Sequence, residues 1–142
     1  CAGYHLLDRI NGMNKKRNLR AKIIKKSLRS FNFLKFQKDK KNFHNSYHLL
    51  PAYFDRKIIN FDRDKFMDRM SRIYKIQLIV QYHPLDKYHF FKRKYKAKTS
   101  LQNTYNFYEN MFSIPFHVWM SDKDFDYLIH SLTIELEKIR KL

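Results

Sequence analysis

The last quarter of the chain has the most regular spacing of apolar residues. After Ser121 they recur every three or four positions, which predicts an amphipathic helix with one buried face. That face comprises Phe125, Leu128, Ile129, Leu132, Leu136 and Ile139. Ser121 is the predicted N-cap, because a serine hydroxyl can accept a hydrogen bond from an early helix N–H. Lys123, Asp126 and His130 are expected to face outward.

Three further helices are predicted from the same kind of spacing. A long one covers roughly Leu6 to Arg29, and a short one runs from about Leu101 to Met111. The third begins after Asp62, a residue type that favours the N-cap position. The positions sharing one face of the long helix are Leu6, Ile10, Met13, Arg17, Ala21, Ile24 and Leu28. The predicted buried face after Asp62 comprises Phe66, Met67, Met70, Ile73 and Tyr74.

Extended segments alternate with these helices. Ser46–Phe54 predicts a strand, and Pro51 within it favours an edge position or a bulge. Leu78–Val80 predicts a short core strand. Phe112–Phe116 predicts an extended arm, because the residue before a proline avoids the α region. The polar, basic stretch Gln37–Asn45 is a loop. This order predicts an α/β fold, a small two-layer sandwich whose sheet is covered mainly on one side.

Composition limits the classes of protein that the chain can represent. Its 142 residues are 44% hydrophobic, enough for one folded domain with a core. No apolar run approaches the ~20 residues that span a bilayer. A single cysteine, Cys1, excludes an internal disulfide, and we expect a cytoplasmic protein. The sequence also lacks a glycine-rich phosphate loop and the usual metal-binding and nucleophile motifs.

The formal charge of +17 raises the hypothesis of a standalone basic nucleic-acid-binding module. Bases could stack on Tyr88, Phe90 or Tyr95 within the aromatic, basic run Lys87–Lys98. Against this hypothesis, the basic residues are dispersed over several elements and form no recognisable motif. On the first helix they are more simply interpreted as a solvated face.

The strongest candidate site in the sequence surrounds Pro84. Tyr82, His83 and Tyr88 lie where a predicted strand ends in an aromatic loop, a common place for the wall of a pocket. A histidine in such a position more often packs against its neighbours than contacts a ligand. The same holds for His48 and His117.

Four segments resemble, in order, the C-terminal part of the DegT/DnrJ/StrS family of aminotransferases. The first helix resembles the helix after that family's Arg-Met-Ser motif. Later segments resemble its Ser-x-His-Leu strand, its Tyr-x-Pro-Leu segment and its closing Leu-Pro-x-His and Ser-Asp-x-Asp segment. The matching residues are Leu7–Ile10 with Lys16 and Arg17, Asn45–Leu49, Asp62–Phe66 with Val80–Leu85, and Ser113–His117 with Met120–Ile129.

The resemblance implies that residues 1–142 are the C-terminal domain of a fold-type I enzyme dependent on pyridoxal 5'-phosphate (PLP). Such enzymes transfer an amino group, usually from glutamate, to a nucleotide-linked keto-sugar, and we expect a homodimer that binds neither membrane nor specific nucleic acid. The family's Schiff-base lysine and its other cofactor-binding residues belong to the N-terminal domain. Because the chain opens on Cys1 without that domain, we expect no catalytic residue in it and an inactive fragment. Tyr82, His83 and Tyr88 are the residues expected to face the sugar nucleotide.

Overall fold

The chain folds into five α-helices and three β-strands within residues 2–94 and 99–141, the part that this computed structural model describes. Tyr95, one of the three stacking candidates, lies outside the described residues. In chain order the elements are α1 (Ala2–Ser27), β1 (Leu34–Phe36), β2 (Pro51–Phe54), α2 (Arg63–Tyr74), α3 (His89–Lys94), α4 (Gln102–Asn110), β3 (Met111–Ser113) and α5 (Asp122–Arg140). No helix in the described ranges is long and apolar enough to cross a membrane.

The three strands form an antiparallel sheet in the order β1-β2-β3. Side chains alternate along β2: Ala52 and Phe54 are buried, whereas Pro51 and Tyr53 are half-buried. On the buried face Phe54 packs against Phe66 of α2, with ring centroids 5.2 Å apart. The predicted α/β fold with a small sheet is confirmed, and one face of its central strand is covered more completely than the other.

The strand predictions need four corrections. Pro51 begins the central strand, so the predicted edge position is wrong; a proline is tolerated there because the first residue of a strand need not donate to the ladder. The strand is also shorter than Ser46–Phe54. Leu78–Val80 forms only a single bridge, Ile79 to Ser113, and Ile79 is exposed. Strand β1 was not predicted.

Helix α5 begins at the predicted residue. The Ser121 hydroxyl accepts a hydrogen bond from the Asp124 N–H at 3.1 Å and donates one to the Asp124 carboxylate at 2.6 Å. Five of the six predicted face residues are buried, and Ile129 is half-buried. The three positions expected to face outward are exposed: Lys123, Asp126 and His130. The predicted helix, its cap and its buried face are therefore confirmed.

Helix α2 begins after the predicted N-cap. The carboxylate of Asp62 accepts hydrogen bonds from two backbone N–H groups, of Lys65 and Asp64, and these bonds lower the pKa of Asp62. The prediction that Ile73 is buried is wrong, because Ile73 is 52% exposed. Its neighbour Tyr74 makes the contact with α5 instead.

Only the C-terminal half of α1 packs on the core. Ala21, Ile24 and Leu28 are buried, whereas Leu6 and Ile10 are exposed. The apolar face of this helix is thus exposed over its first half, which no other described element covers. Arg20, absent from the predicted face, is 4% exposed.

A buried carboxylate joins α2 to α5. Glu135 is 1% exposed and accepts hydrogen bonds from the guanidinium of Arg69 and, at 3.1 Å, from the hydroxyl of Tyr74. Burial alone would raise the pKa of Glu135, but the hydrogen bond and charge of Arg69 outweigh it and lower that pKa.

This pKa direction predicts how stability depends on pH. A lowered folded-state pKa means that ionised Glu135 stabilises the fold above its unfolded pKa, about 4.3, and that this contribution is lost as pH falls through the folded-state value. In urea unfolding, the stability difference between wild type and Glu135→Gln should therefore be largest near neutral pH and shrink as pH falls from about 5 to 3. A stability difference that does not change with pH would contradict this prediction. The matched control is Glu137→Gln, which breaks a more exposed pair with Arg140, a class worth about 0–1 kcal/mol.

Candidate functional site

The predicted site residues lie on the loop between the Ile79 bridge and α3. Tyr82 is 74% exposed and Tyr88 is 44% exposed, whereas His83 is half-buried. A single 3₁₀ turn, Leu85–Lys87, separates His83 from Tyr88 and brings the chain back on itself. The structure therefore places all three residues on one loop and leaves both tyrosines accessible.

His83 is held between two tyrosine rings. Its imidazole packs edge-to-face against Tyr88 and Tyr108, with ring centroids 5.1 Å apart in both pairs. His83 and Tyr88 are thus brought together as a unit, whereas Tyr82 makes no ring contact with either among the described residues. Such packing restricts the rotation of the imidazole and presents its remaining edge in a defined direction.

A cavity of about 380 Å³ adjoins this ring cluster. Its walls come from the 3₁₀ turn and α4: His83, Pro84, Lys87, Gln102, Tyr105, Tyr108 and Glu109. The Tyr105 hydroxyl donates to the Asp86 carboxylate, and this hydrogen bond raises the pKa of Tyr105. Lys87 places its ammonium 4.3 Å from the centroid of the Tyr105 ring. The arrangement ties the turn to α4 and combines aromatic surface with a cation.

Sequence reasoning missed the two tyrosines of α4. Tyr105 and Tyr108 are three residues apart and so lie on one face of the helix, a spacing that could have identified them. Arg63 fixes the end of this helix by donating to the carbonyl oxygens of Tyr108 at 2.6 Å and Met111 at 3.1 Å. Its guanidinium also lies 5.5 Å from the Tyr108 ring centroid. Arg63 thereby positions the ring that supports His83.

The other two histidines considered from the sequence lie elsewhere. His48 and His117 are both exposed. The backbone of His117, rather than its imidazole, is anchored: its carbonyl oxygen accepts a hydrogen bond from Arg20 at 2.5 Å. Trp119, which is 74% exposed, has its ring centroid 6.5 Å from that of His117. This segment presents a second pair of accessible rings.

Most of the described lysines lie at the surface of the chain. Lys25 and Lys35 are half-buried and all other described lysines are exposed. Lys25 donates to Asp39 and Tyr47, and Lys138 has its pKa raised by a hydrogen bond to Tyr74. Within residues 2–94 and 99–141 there is also no group of three or more metal-ligating side chains.

The chain belongs to the DegT/DnrJ/EryC1/StrS aminotransferase family, whose model matches residues 1–133. The resemblance inferred from the sequence is therefore confirmed. Among curated protein sequences, none matches the chain.

Solved structures share the fold at low sequence identity. TlmJ, an aminotransferase from Streptoalloteichus hindustanus, is 19% identical with a TM-score of 0.81, over 97% of this chain and 36% of its own. The putative sugar aminotransferase Spr1654 from Streptococcus pneumoniae has been solved in apo, PLP and PMP forms. It is 21% identical with a TM-score of 0.82, and the match covers 98% of this chain and 34% of Spr1654. PseC from Helicobacter pylori, an aminotransferase of pseudoaminic acid biosynthesis, is 18% identical with a TM-score of 0.82, over 96% and 36%. The chain thus spans about a third of the structures it matches.

Proposed function

We propose that residues 1–142 form the C-terminal part of a PLP-dependent aminotransferase that aminates a nucleotide-linked keto-sugar in the biosynthesis of a cell-surface polysaccharide or another glycan. The family match over residues 1–133 carries the proposal. The amino group would come from glutamate, and PLP would be bound by an N-terminal domain outside this chain. The whole enzyme would be a cytoplasmic homodimer.

The exposed apolar surface of α1 supports the proposal that this chain is part of a larger protein. Tyr4, Leu6, Leu7 and Ile10 are 45–71% exposed, a concentration that soluble monomers usually cover. Phe90 of α3 is similarly exposed, whereas Met13 and Phe91 are half-buried. We infer that the N-terminal domain or the second subunit covers the first half of α1.

The role proposed for this chain in the reaction is to bind and orient the sugar nucleotide. Tyr82 and Tyr88 would offer aromatic faces, and the braced imidazole of His83 would donate to or accept from a sugar hydroxyl. From Lys87 to Lys94 the chain carries four cations and no acidic side chain, which complements the charge of a diphosphate. These residues would act by positioning the substrate, and the chemical step would occur on residues of the N-terminal domain.

The most direct test reads the gene region upstream of Cys1. We expect it to encode a Schiff-base lysine segment and an Asn-Tyr-Arg-Met run in frame with this chain. An in-frame start at Cys1 with no such region would contradict the proposal for a whole enzyme and leave a decayed remnant.

With the full-length enzyme in hand, Tyr88→Ala should raise the KM for the sugar nucleotide by up to about tenfold, since an aromatic contact is worth about 0.5–1.5 kcal/mol. Its melting temperature should change little, because Tyr88 is 44% exposed and does not belong to the hydrophobic core. Tyr127→Ala, at a tyrosine of similar exposure on α5, is the control and should leave KM unchanged. His117→Ala serves as a contrast: if it raises KM without lowering the melting temperature, the cleft includes the His117 segment, and the proposed site is misplaced.

The isolated chain is expected to bind no PLP at a specific lysine and to transaminate nothing. After incubation with PLP and reduction by borohydride, peptide mapping should find several exposed lysines labelled to similar extents. Predominant labelling of one lysine would contradict this expectation and place a cofactor site within the chain.

A nucleic-acid-binding module is the competing hypothesis, and it would need a continuous basic groove beside accessible aromatic rings. Phe90 already has the ammonium of Lys94 4.9 Å from its ring centroid. Among the described residues, lysines and arginines are spread over α1, α3 and α5 instead of forming one groove. Binding to single-stranded nucleic acid is therefore expected to be weak and to fall steeply with salt. Micromolar, sequence-dependent binding at physiological salt would favour this hypothesis over the aminotransferase.

A further inference from the structure

A second cavity, of about 370 Å³, lies between α2 and α5 and shares no residue with the site at the 81–88 loop. Phe61 and Ile139 supply its apolar walls. Its volume falls within the ~300–1,000 Å³ typical of pockets for small molecules. Three of its seven lining residues, Glu135, Lys138 and Ile139, lie on the end of α5 beyond residue 133, where the family match stops.

Both acidic residues in the cavity are paired with arginines. Glu135, at the base of the cavity, is bound by Arg69. Asp68 accepts a hydrogen bond from Arg72 at 2.7 Å. Each carboxylate in the lining thus pairs with an arginine, and the lining as a whole has three cationic side chains and two acidic ones.

Two lysines also line the cavity and add to its positive charge. The ammonium of Lys65 makes no hydrogen bond or ion pair with any described residue. Lys138 donates one hydrogen bond to the Tyr74 hydroxyl at 3.2 Å, and its ammonium is 3.6 Å from Glu135, which Arg69 already binds. An ammonium has three donors, so both lysines retain donors for a ligand.

We propose that this cavity binds a small organic anion, a carboxylate attached to an apolar or aromatic body. The carboxylate would lie between Lys65 and Lys138, and the body would pack against Phe61 and Ile139. The charge of the lining and its apolar walls together favour this class: an inorganic anion would leave the walls unfilled, and a cation would meet two ammonium groups. The site is independent of the proposed sugar cleft and could bind its ligand whether or not that cleft is placed correctly.

A ligand series on the unaltered 142-residue chain tests the proposal. Benzoate, benzyl alcohol and benzylamine have the same ring but carry a negative, no and a positive charge. In ¹⁵N-resolved NMR titrations, benzoate should produce saturable shifts at the backbone amides of Phe61 and Ile139. Benzyl alcohol should bind more weakly, and benzylamine should not bind. Equal responses to the three compounds, no response to benzoate, or shifts that do not saturate would overturn the proposal.

Lysine variants provide the second arm of the test. Lys65→Met with Lys138→Met should weaken benzoate binding at least tenfold, whereas Lys57→Met with Lys123→Met, at two exposed lysines outside the cavity, should leave it unchanged. Equal binding by both double variants would overturn the assignment of the carboxylate to these lysines. If the first double variant does not fold, Lys65→Met alone, at a lysine whose ammonium makes no hydrogen bond or ion pair with the described residues, gives the same comparison against Lys57→Met.

Discussion

Replacing Leu128 by alanine is expected to lower the free energy of unfolding by about 2–5 kcal/mol. Leu128 is 2% exposed and belongs to the main core cluster, so its truncation both removes apolar contacts and leaves a cavity. Because a domain of this size has only about 5–15 kcal/mol of stability, the loss would be a large part of the total. Urea unfolding followed by far-ultraviolet circular dichroism measures the change.

Two other substitutions separate core packing from local helix effects. Leu19→Ala makes the same change at a leucine that is 59% exposed on α1, and should alter stability by no more than about 0.5 kcal/mol. Ser121→Ala removes only the N-cap of α5 and should cost about 1 kcal/mol. If Leu128→Ala cost no more than Ser121→Ala, the burial of Leu128 in the core would contribute little to stability, contrary to this prediction.

Arg20→Met should destabilise the fold by about 3 kcal/mol, since hydrogen bonds to a charged group are worth about 1.5–3 kcal/mol each. The Arg20 guanidinium is buried and donates to the carbonyl oxygens of His117 at 2.5 Å and Met120 at 2.6 Å, and to Asp122 at 3.0 Å. It therefore fixes the turn that leads into α5 against α1. Methionine retains much of the apolar volume but none of the donors, so the measured loss in urea unfolding reports the polar contacts.

The contribution of the ion pair can be separated from that of the carbonyl contacts. Asp122 is 96% exposed, so its pairing with Arg20 is screened and Asp122→Asn should cost less than about 1 kcal/mol. Arg20→Lys keeps the charge but cannot reproduce the fork of donors, and should lose most of the stability that Arg20→Met loses. If Asp122→Asn cost as much as Arg20→Met, the ion pair would dominate and the clamp on the two carbonyl groups would contribute little.

The candidate site was only partly predictable. Tyr82, His83 and Tyr88 were recognised because they follow one another around a proline, a local feature of the sequence. The second ring that packs against His83 belongs to Tyr108, on a helix 25 residues further along the chain, and Arg63 fixes that helix from a third element. Such contacts depend on how distant elements pack. Whether the three predicted residues meet a sugar nucleotide stays a prediction.

What the sequence determined by itself was largely local. The beginnings of α2 and α5 were predictable because Asp62 and Ser121 cap the backbone N–H groups of the turn that immediately follows. The buried face of α5 was predictable because its apolar residues recur at helical spacing along the whole helix and all face the same core. Motifs spread over nearly the whole chain identified the family.

The tertiary structure alone decided which parts of each pattern are buried. The apolar pattern of α1 continues to Leu6, yet burial ends where other parts of the fold no longer lie against the helix. Pro51 occupies a central strand because β3 pairs with β2 from far along the chain, which a single proline cannot reveal. Arg20 and Glu135 are buried because partners on other elements satisfy their charges. Charge and periodicity describe a residue's own element, whereas burial depends on the surfaces that meet it.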